Sequence, residues 1–337
     1  FTKVGPVYVS ATYPGIVKAW HYHQDQVDSF ACVVGIVKLV LVDTRPDSAT
    51  NGAMNEFFVG VQNPMLVQVP NLVYHGWKCI SPDTALVVNR RVFRQDAHLD
   101  RLAASCEALA FPIARSRLAA AQDALAEEIG TGTVRLTVTR GLGARGLAFP
   151  EEPRPTLFGS ASPLATALLF KPLRLALAQT RRNETSLTAC HKTLSYLDAI
   201  VETDRAKRVG ADEPLFLNTR GRIACSALAN VFRVDAKRLV TPPLGDGVLP
   251  GIMRGWVLDN ASTAGFEVVE ESLDGAGAND AHYVLTNSLR LLAPAAFDDG
   301  PPSDLVDRLA PLRALVLDAI HAECGADLRD HVPGLGR

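Results

Sequence analysis

From Val7 to about Asn89 apolar and polar positions alternate in short β-branched runs, IVKAW, FACVVGIVKLVLV, PMLVQVP and TALVV, broken by turn clusters such as TRPDSATNG. Alternation with a period of two, interrupted at short intervals by turn residues, predicts the strands of an all-β sandwich or small barrel. After Arg90 the period changes. DAHLDRLAASCEALAF and SRLAAAQDALAEEIG carry apolar residues at helical spacing, with alanine filling the remainder, and predict two amphipathic helices. A strand, VRLTVTR, comes next, then the glycine-rich GLGARG and the proline-rich PEEPRP, beyond which strands and helices alternate to the end in an α/β pattern. The last helix is predicted over about 303–323, with SDLV as its cap and a leucine stripe for core packing.

At 337 residues the chain is long enough for two or three domains with sizeable cores. A formal net charge of −2 leaves no broad basic field, so neither nucleic acid nor an anionic membrane is an expected partner. No apolar run reaches the roughly 18 residues needed to span a bilayer, and FTKVGPVYVS lacks the basic and apolar regions of a leader. The 6 cysteines are scattered, without CxxC pairing, and read as thiols of a reducing, cytoplasmic compartment. The chain opens on Phe1, which reads as a fragment or a processed end.

In YPGIVKAWHYHQDQVDSF, His21 and His23 stand two apart on a strand and so share a face. With Asp28, and with His75 in VPNLVYHGWKC, they would line one mouth of a barrel. The spacing G-x5-H-x-H-x4-D-x6-G from Gly15 to Gly35 is close to the general cupin pattern, in which imidazoles and a carboxylate hold a divalent metal. Structural histidines, a sugar-nucleotide pocket and a metal site are the three readings. The run from Tyr8 to Asn89 more closely resembles the dTDP-4-dehydrorhamnose 3,5-epimerase family of cupins, which work without metal, so no metal ligand is assigned. The resemblance implies a truncated jelly roll that takes a dTDP-sugar. It makes His21 the base beside the sugar ketone, His75 the second family histidine, and Lys18 the cation that meets the nucleotide phosphates.

From about Arg91 onward the chain resembles class IV aminotransferases and their relative aminodeoxychorismate lyase, enzymes of fold type IV that depend on pyridoxal 5'-phosphate. The segment TRRNETSLTACHKTLSYLDAIVETDRAKRVGADEPLFLN matches the family's stretch around its cofactor lysine, here Lys192. The resemblance implies that Lys192 holds the cofactor as an imine. Lys192 precedes an apolar stripe, Leu194, Leu197, Ile200 and Val201, so its stem is expected to start at the edge of a buried element, where desolvation makes an amine nucleophilic.

A cofactor phosphate needs backbone amides and a cation. VLPGIMRGWVLD sets Gly251 before an apolar helix, so that the amides of Ile252 and Met253 would point at an anion. By the same resemblance, Arg101 in AHLDRLAAS grips the phosphate, Ser288 in YVLTNSLR donates a hydroxyl, and Leu249 packs on the pyridine ring. Arg145 in TRGLGARGLAFP would bind the carboxylate of an amino substrate with its guanidinium fork. Counting back five from Asn230 puts Cys225 where the family has a carboxylate facing the pyridine nitrogen. That change implies a poorer electron sink, unless a Cys225 thiolate or a displaced acid such as Asp246 compensates.

The expected fold is therefore multidomain. An all-β, cupin-like segment over 1–89 is followed by an α/β fold-type IV enzyme, with part of its small domain over 90–165 and the large cofactor-binding domain over 166–330. The family's GDGxFETLR-like run before the HLDRL helix is absent, so the small domain is expected to lack a strand unless the β segment pairs with it. A homodimer is expected if that sheet survives. Met253 and TNSL lean toward the lyase branch, while an amino-acid aminotransferase fits the same mechanism.

Overall fold

A computed structural model describes residues 17–32, 36–60, 65–79, 83–141, 149–193 and 195–332. The chain divides into two compact units, Phe1–Ser81 with Leu194–Leu197, and Pro82–Thr193 with Asp198–Arg337.

The first unit contains β1 (Val17–His21), β2 (Asp28–Phe30), β3 (Ile36–Asp43), β4 (Met54–Gly60), β5 (Val67–Val69) and β6 (Val73–Cys79). Antiparallel pairing gives a sheet of order β1-β6-β3-β4 and a separate β2-β5 pair. Alternation along β3 turns Leu39 and Leu41 inward, where they meet Val59, Val67, Val69 and Val73. The TRPDSATNG turn between β3 and β4 closes on Asp43, whose carboxylate accepts hydrogen bonds from Arg45, Ser48 and Thr50. Those donors, the Arg45 guanidinium first, hold the Asp43 carboxyl far below the usual carboxylate range. The described strands of the first unit form these two sheets.

The second unit begins with β7 (Asp83–Val88) and β8 (Arg91–Val92), then α1 (Gln95–Ala108), α2 (Arg115–Ile129), β9 (Gly132–Thr139) and β10 (Thr156–Pro163). These strands form a sheet of order β10-β9-β7-β8. The TALVV run, which reads from sequence as the end of the β segment, is therefore β7, and its Asp83–Val87 pairs antiparallel with β9. A strand from the range read as the β segment thus pairs into the sheet of the second unit. Leu99, Leu102 and Cys106 of α1 and Leu118 of α2 pack with Leu136 of β9, as the helical periodicity predicts.

Next come β11 (Leu173–Leu177), α3 (Leu187–Cys190), α4 (Leu197–Arg208), β12 (Glu213–Leu217), β13 (Arg222–Ser226), β14 (Asn230–Asp235), β15 (Arg238–Thr241), α5 (Ile252–Asn260), β16 (Glu267–Glu270), β17 (Leu273–Asp274), β18 (Tyr283–Asn287), β19 (Leu291–Ala296) and α6 (Ser303–Cys324). The strands build a mixed nine-stranded sheet of order β16-β15-β14-β18-β19-β11-β12-β13-β17. The stripe of α6, Leu305, Leu309, Leu312, Val316, Leu317 and Ile320, joins Trp256 and Val257 of α5 and Phe232 of β14 in the largest apolar cluster. Pro302 takes the cap position of α6, one residue before the expected Ser303, without a side-chain bond.

Candidate functional site

Helix α1, the start of α5 and the turn after β18 bring three of the sequence-selected residues, Arg101, Gly251 and Ser288, together. His98 and Arg101, three apart on α1, lie on one face. Arg101 Nη1 donates to the carbonyl of Pro250 at 3.3 Å. His98, buried, lies with Nε2 3.2 Å from the hydroxyl of Ser288. The turn at Pro250–Gly251 and the hydroxyl of Ser288 therefore meet the same short stretch of α1. From the third side Asn230, on β14, donates through Nδ2 to the Leu249 carbonyl at 2.8 Å, and its register partner on β18 is Thr286.

Gly251 sits at the cap of α5, which has no side-chain capping bond there. The first amides of a helix have no intrahelical acceptor, so those of Ile252 and Met253 are directed out of the helix start. A Cβ added at Gly251 would lie 1.8 Å from Asn230 Oδ1, so only glycine lets this backbone come so close. The Thr286 hydroxyl is buried and has no hydrogen-bond partner among the described residues. A guanidinium, uncapped amides, a hydroxyl donor and an unsatisfied buried hydroxyl suit an anion with several acceptor oxygens, and so fit the phosphate of pyridoxal phosphate.

Lys192 is half-buried, two residues beyond the end of α3. Its segment is tied down by Arg182, which donates to Ala189 O at 3.1 Å and to Gly247 O at 2.8 Å. This links the chain just before Lys192 to the chain just before Leu249. Arg182 is in turn held by the turn at Gln179–Thr180, whose two amides donate to the Glu202 carboxylate at 3.1 and 3.0 Å, with the Thr180 hydroxyl at 2.6 Å. Burial would push the Glu202 carboxyl up, but the bonds from Thr180, Gln179 and Arg205 outweigh it and hold the group below its ordinary value. The apolar stripe expected after Lys192 is not the buried face of α4. Ile200 and Val201 are 55% and 38% exposed, and the buried residues are Glu202 and Ala206, because the bonds to Glu202 fix which side of the helix turns inward.

Cys225 is buried on β13 opposite Phe216. Burial pushes its thiol up, against the opposing field of Arg182, so the side chain is a neutral thiol and not the thiolate offered as a substitute for a carboxylate. Asp246 is buried as well. Its Oδ1 is 3.4 Å from Arg222 Nη1, and its Oδ2 has no hydrogen-bond partner among the described residues.

In the first unit His21 is the register partner of His75, and the two rings stack with centroids 5.8 Å apart. His75 is buried against the edge of Phe30. Burial pushes its imidazole down from the ordinary value, opposed by a bond to Val73 and by the charge of Asp28. Lys18 lies on β1 in register with Trp77. Arg145 lies outside the described residues.

A family model described as amino-transferase class IV matches residues 82–296, well over half of the sequence. The chain belongs to the class IV amino-transferase family. The match begins where the second compact unit begins, after Ser81. A second family model, dTDP-4-dehydrorhamnose 3,5-epimerase, matches residues 4–129 and so overlaps the first part of the class IV unit. A putative branched-chain-amino-acid aminotransferase of Methanocaldococcus jannaschii is 32% identical over 190 residues, 54% of this chain and 65% of that protein. A probable low-salt glycan biosynthesis epimerase of Haloferax volcanii is 39% identical over 83 residues, 24% of this chain and 53% of that protein. The class IV chain thus spans between about half and two thirds of the length of these curated relatives. Among solved structures it is similar to a putative 4-amino-4-deoxychorismate lyase of Legionella pneumophila, with a TM-score of 0.63 and 26% identity over 69% of this chain and 90% of that one. A branched-chain amino acid aminotransferase of Escherichia coli shares the fold, with a TM-score of 0.62 at 21% identity over 69% of this chain and 84% of that one.

His98, Arg182, Glu202, Asn230 and Thr286 are absent from the sequence-selected set. The DAHLDRL run carries His98 three before Arg101, a spacing that marks one helix face, and this is the one local signal for it. The other four act through partners as far as 65 residues away, which no local pattern announces.

Proposed function

We propose that the second unit is a pyridoxal-phosphate-dependent enzyme acting on an amino substrate, with Lys192 as the amine that attaches the cofactor. The observation that carries this reading is the convergence of Arg101, the Gly251 turn and Ser288 on one stretch of α1. Arg101, the amides of Ile252 and Met253, and the Ser288 hydroxyl would hold the phosphate, and Leu249 would pack against the ring. When bound, the cofactor supplies a conjugated ring that takes up the electron pair left at the substrate's α-carbon. Lys192 would serve as the base that takes the proton from the substrate's α-carbon. Arg145 would orient the substrate carboxylate. Cys225, a neutral thiol, would offer the pyridine nitrogen no negative charge, whereas Asp246 keeps one buried oxygen without a partner among the described residues.

Amino-acid transamination and aminodeoxychorismate lyase chemistry share this proton removal and part afterwards. Titration with pyridoxal phosphate is expected to give a saturable absorption change at one cofactor per chain, which an amino substrate then alters. Product analysis with a panel of amino acids and with aminodeoxychorismate separates the two reactions, and no saturable change would end the proposal.

For the first unit we infer a sugar-nucleotide binding module. The stacked pair His21 and His75 supports it. A dTDP-sugar is expected to raise the melting temperature of the wild-type chain, and less so that of His21→Ala. Equal shifts in both would remove the reading.

A further inference from the structure

The turn between β18 and β19 carries Ser288, and its backbone is pinned by groups that do not involve the Ser288 hydroxyl. Asn287 Oδ1 accepts from the amides of Leu289 and Arg290 at 2.9 and 2.8 Å, and Asn287 Nδ2 donates to the Leu228 carbonyl at 3.2 Å. The Arg290 carbonyl accepts from the amide of Phe170 at 3.0 Å. The Arg290 guanidinium reaches into the sheet, where Nη2 lies 2.6 Å from the carboxylate of Glu213, which is buried and accepts from the Ser226 hydroxyl at 2.9 Å. With the backbone held in this way, the variable left open is which staggered position the Ser288 side chain takes.

His98 settles it. The residue is buried, and its Nε2 lies 3.2 Å from Ser288 Oγ. The same face of α1 carries Arg101, whose Nη1 reaches the Pro250 carbonyl before α5. One helix face thus touches both walls of the anion cradle, the Pro250–Gly251 turn through Arg101 and the Ser288 turn through His98. A hydroxyl has one hydrogen and two lone pairs. When the hydrogen goes to an anion oxygen, a lone pair is left for a further donor, and a ring N–H at this distance fills that place. The bound arrangement is then a chain, from imidazole N–H to Oγ and from Oγ–H to the anion. We infer that His98 is a positioning residue which, through Ser288, makes this site selective for the phosphate-bearing form of the cofactor. The inference rests on the reading of the second unit as a pyridoxal-phosphate enzyme and adds to it a residue that acts through another. His98 has no part in the proton transfer assigned to Lys192, so its loss should move cofactor selectivity rather than cofactor attachment.

The test compares pyridoxal phosphate with pyridoxal, which has the same aldehyde and ring without the phosphate, by equilibrium titration of the full chain. His98→Phe keeps a ring and removes its nitrogens. Its affinity for pyridoxal phosphate is expected to fall about tenfold, while affinity for pyridoxal stays within about twofold. Ser288→Ala should give the same pattern, and the double variant should lose little more than either single one, because both changes break one chain of bonds. His98→Gln, whose amide nitrogen can reach the place of Nε2, should recover most of the loss. A side chain that only filled the core would lower both affinities together, and Gln would not rescue it. Melting temperatures check that the variants fold; should His98→Phe unfold, His98→Asn, whose amide falls short of Ser288, takes its place. Equal loss of both ligands, unchanged selectivity, or fully additive losses in the double variant would overturn the role of His98 and leave the cofactor reading standing. No saturable binding of pyridoxal phosphate by the wild type would remove both.

Discussion

Lys192→Ala is expected to remove covalent attachment of pyridoxal phosphate and to lower turnover of an amino substrate by at least about a thousandfold, while leaving the chain folded. The size of the loss would follow from two roles falling on one amine, since in the proposed mechanism the same nitrogen both attaches the cofactor and moves the α-proton. The fold is expected to survive because Lys192 is half-buried and the chain before it is held by other groups. Arg182 grips the backbone at Ala189, and Glu202 fixes the turn that carries Arg182. Pyridoxal phosphate should still bind this variant through the Arg101 and Gly251 cradle, but as a ligand that gel filtration removes. Equilibrium binding beside turnover separates the two effects: turnover falls steeply while the dissociation constant moves far less.

Gly251→Ala is expected to have the opposite profile, with loss of cofactor binding and of stability together. The new Cβ would fall 1.8 Å from Asn230 Oδ1 and 3.0 Å from its Cγ, and Asn230 is buried and bonded to Leu249 O. Either the start of α5 moves or Asn230 rotates and gives up that bond. Overpacking of this kind costs about 1–3 kcal/mol, and a shifted helix start would lose the amides proposed to face the phosphate, with an expected drop in affinity of about a hundredfold. Gly255, four residues on in the same helix, provides the control. Nothing lies within 4 Å of a Cβ there, so Gly255→Ala should hold or raise stability by about 0.5–1 kcal/mol. Thermal melts of both variants, with and without cofactor, check the contrast.

The long periodic elements are legible in the amino-acid pattern itself. The helices α1, α2 and α6 and the strand VRLTVTR stand where their periodicity predicts, because each buries one face and the spacing of apolar residues records which face. Strand β7 is not placed correctly by pattern. TALVV alternates like the runs before it, and what assigns it to the second unit is pairing with β9, which follows both helices in the chain. Alternation tells strand from helix but is silent about the partner. The same limit applies to α4, where Ile200 and Val201 look like a core stripe until the bonds made by Glu202 turn them outward.

At the candidate site, the residues legible in sequence are those that chemistry singles out by type: a lysine, an arginine, a glycine before a helix and a hydroxyl. The residues that hold them in place, Asn230 against Leu249, Arg182 against Gly247 and His98 against Ser288, meet only after folding. Cys225 is visible as a departure, but its protonation state is not, since that depends on burial in the sheet. In the first unit Asp28 and the histidines are legible as a cluster. That His23 and His75 meet one oxygen of Asp28 is a fact of the fold.

The central claim is that one particular amine receives the cofactor. Borohydride reduction of the full chain loaded with pyridoxal phosphate, followed by peptide mapping, tests it most directly. A single stoichiometric pyridoxyl label on Lys192 is the expected result. A label missing from Lys192, or spread over exposed amines such as Lys171 and Lys207, would contradict it.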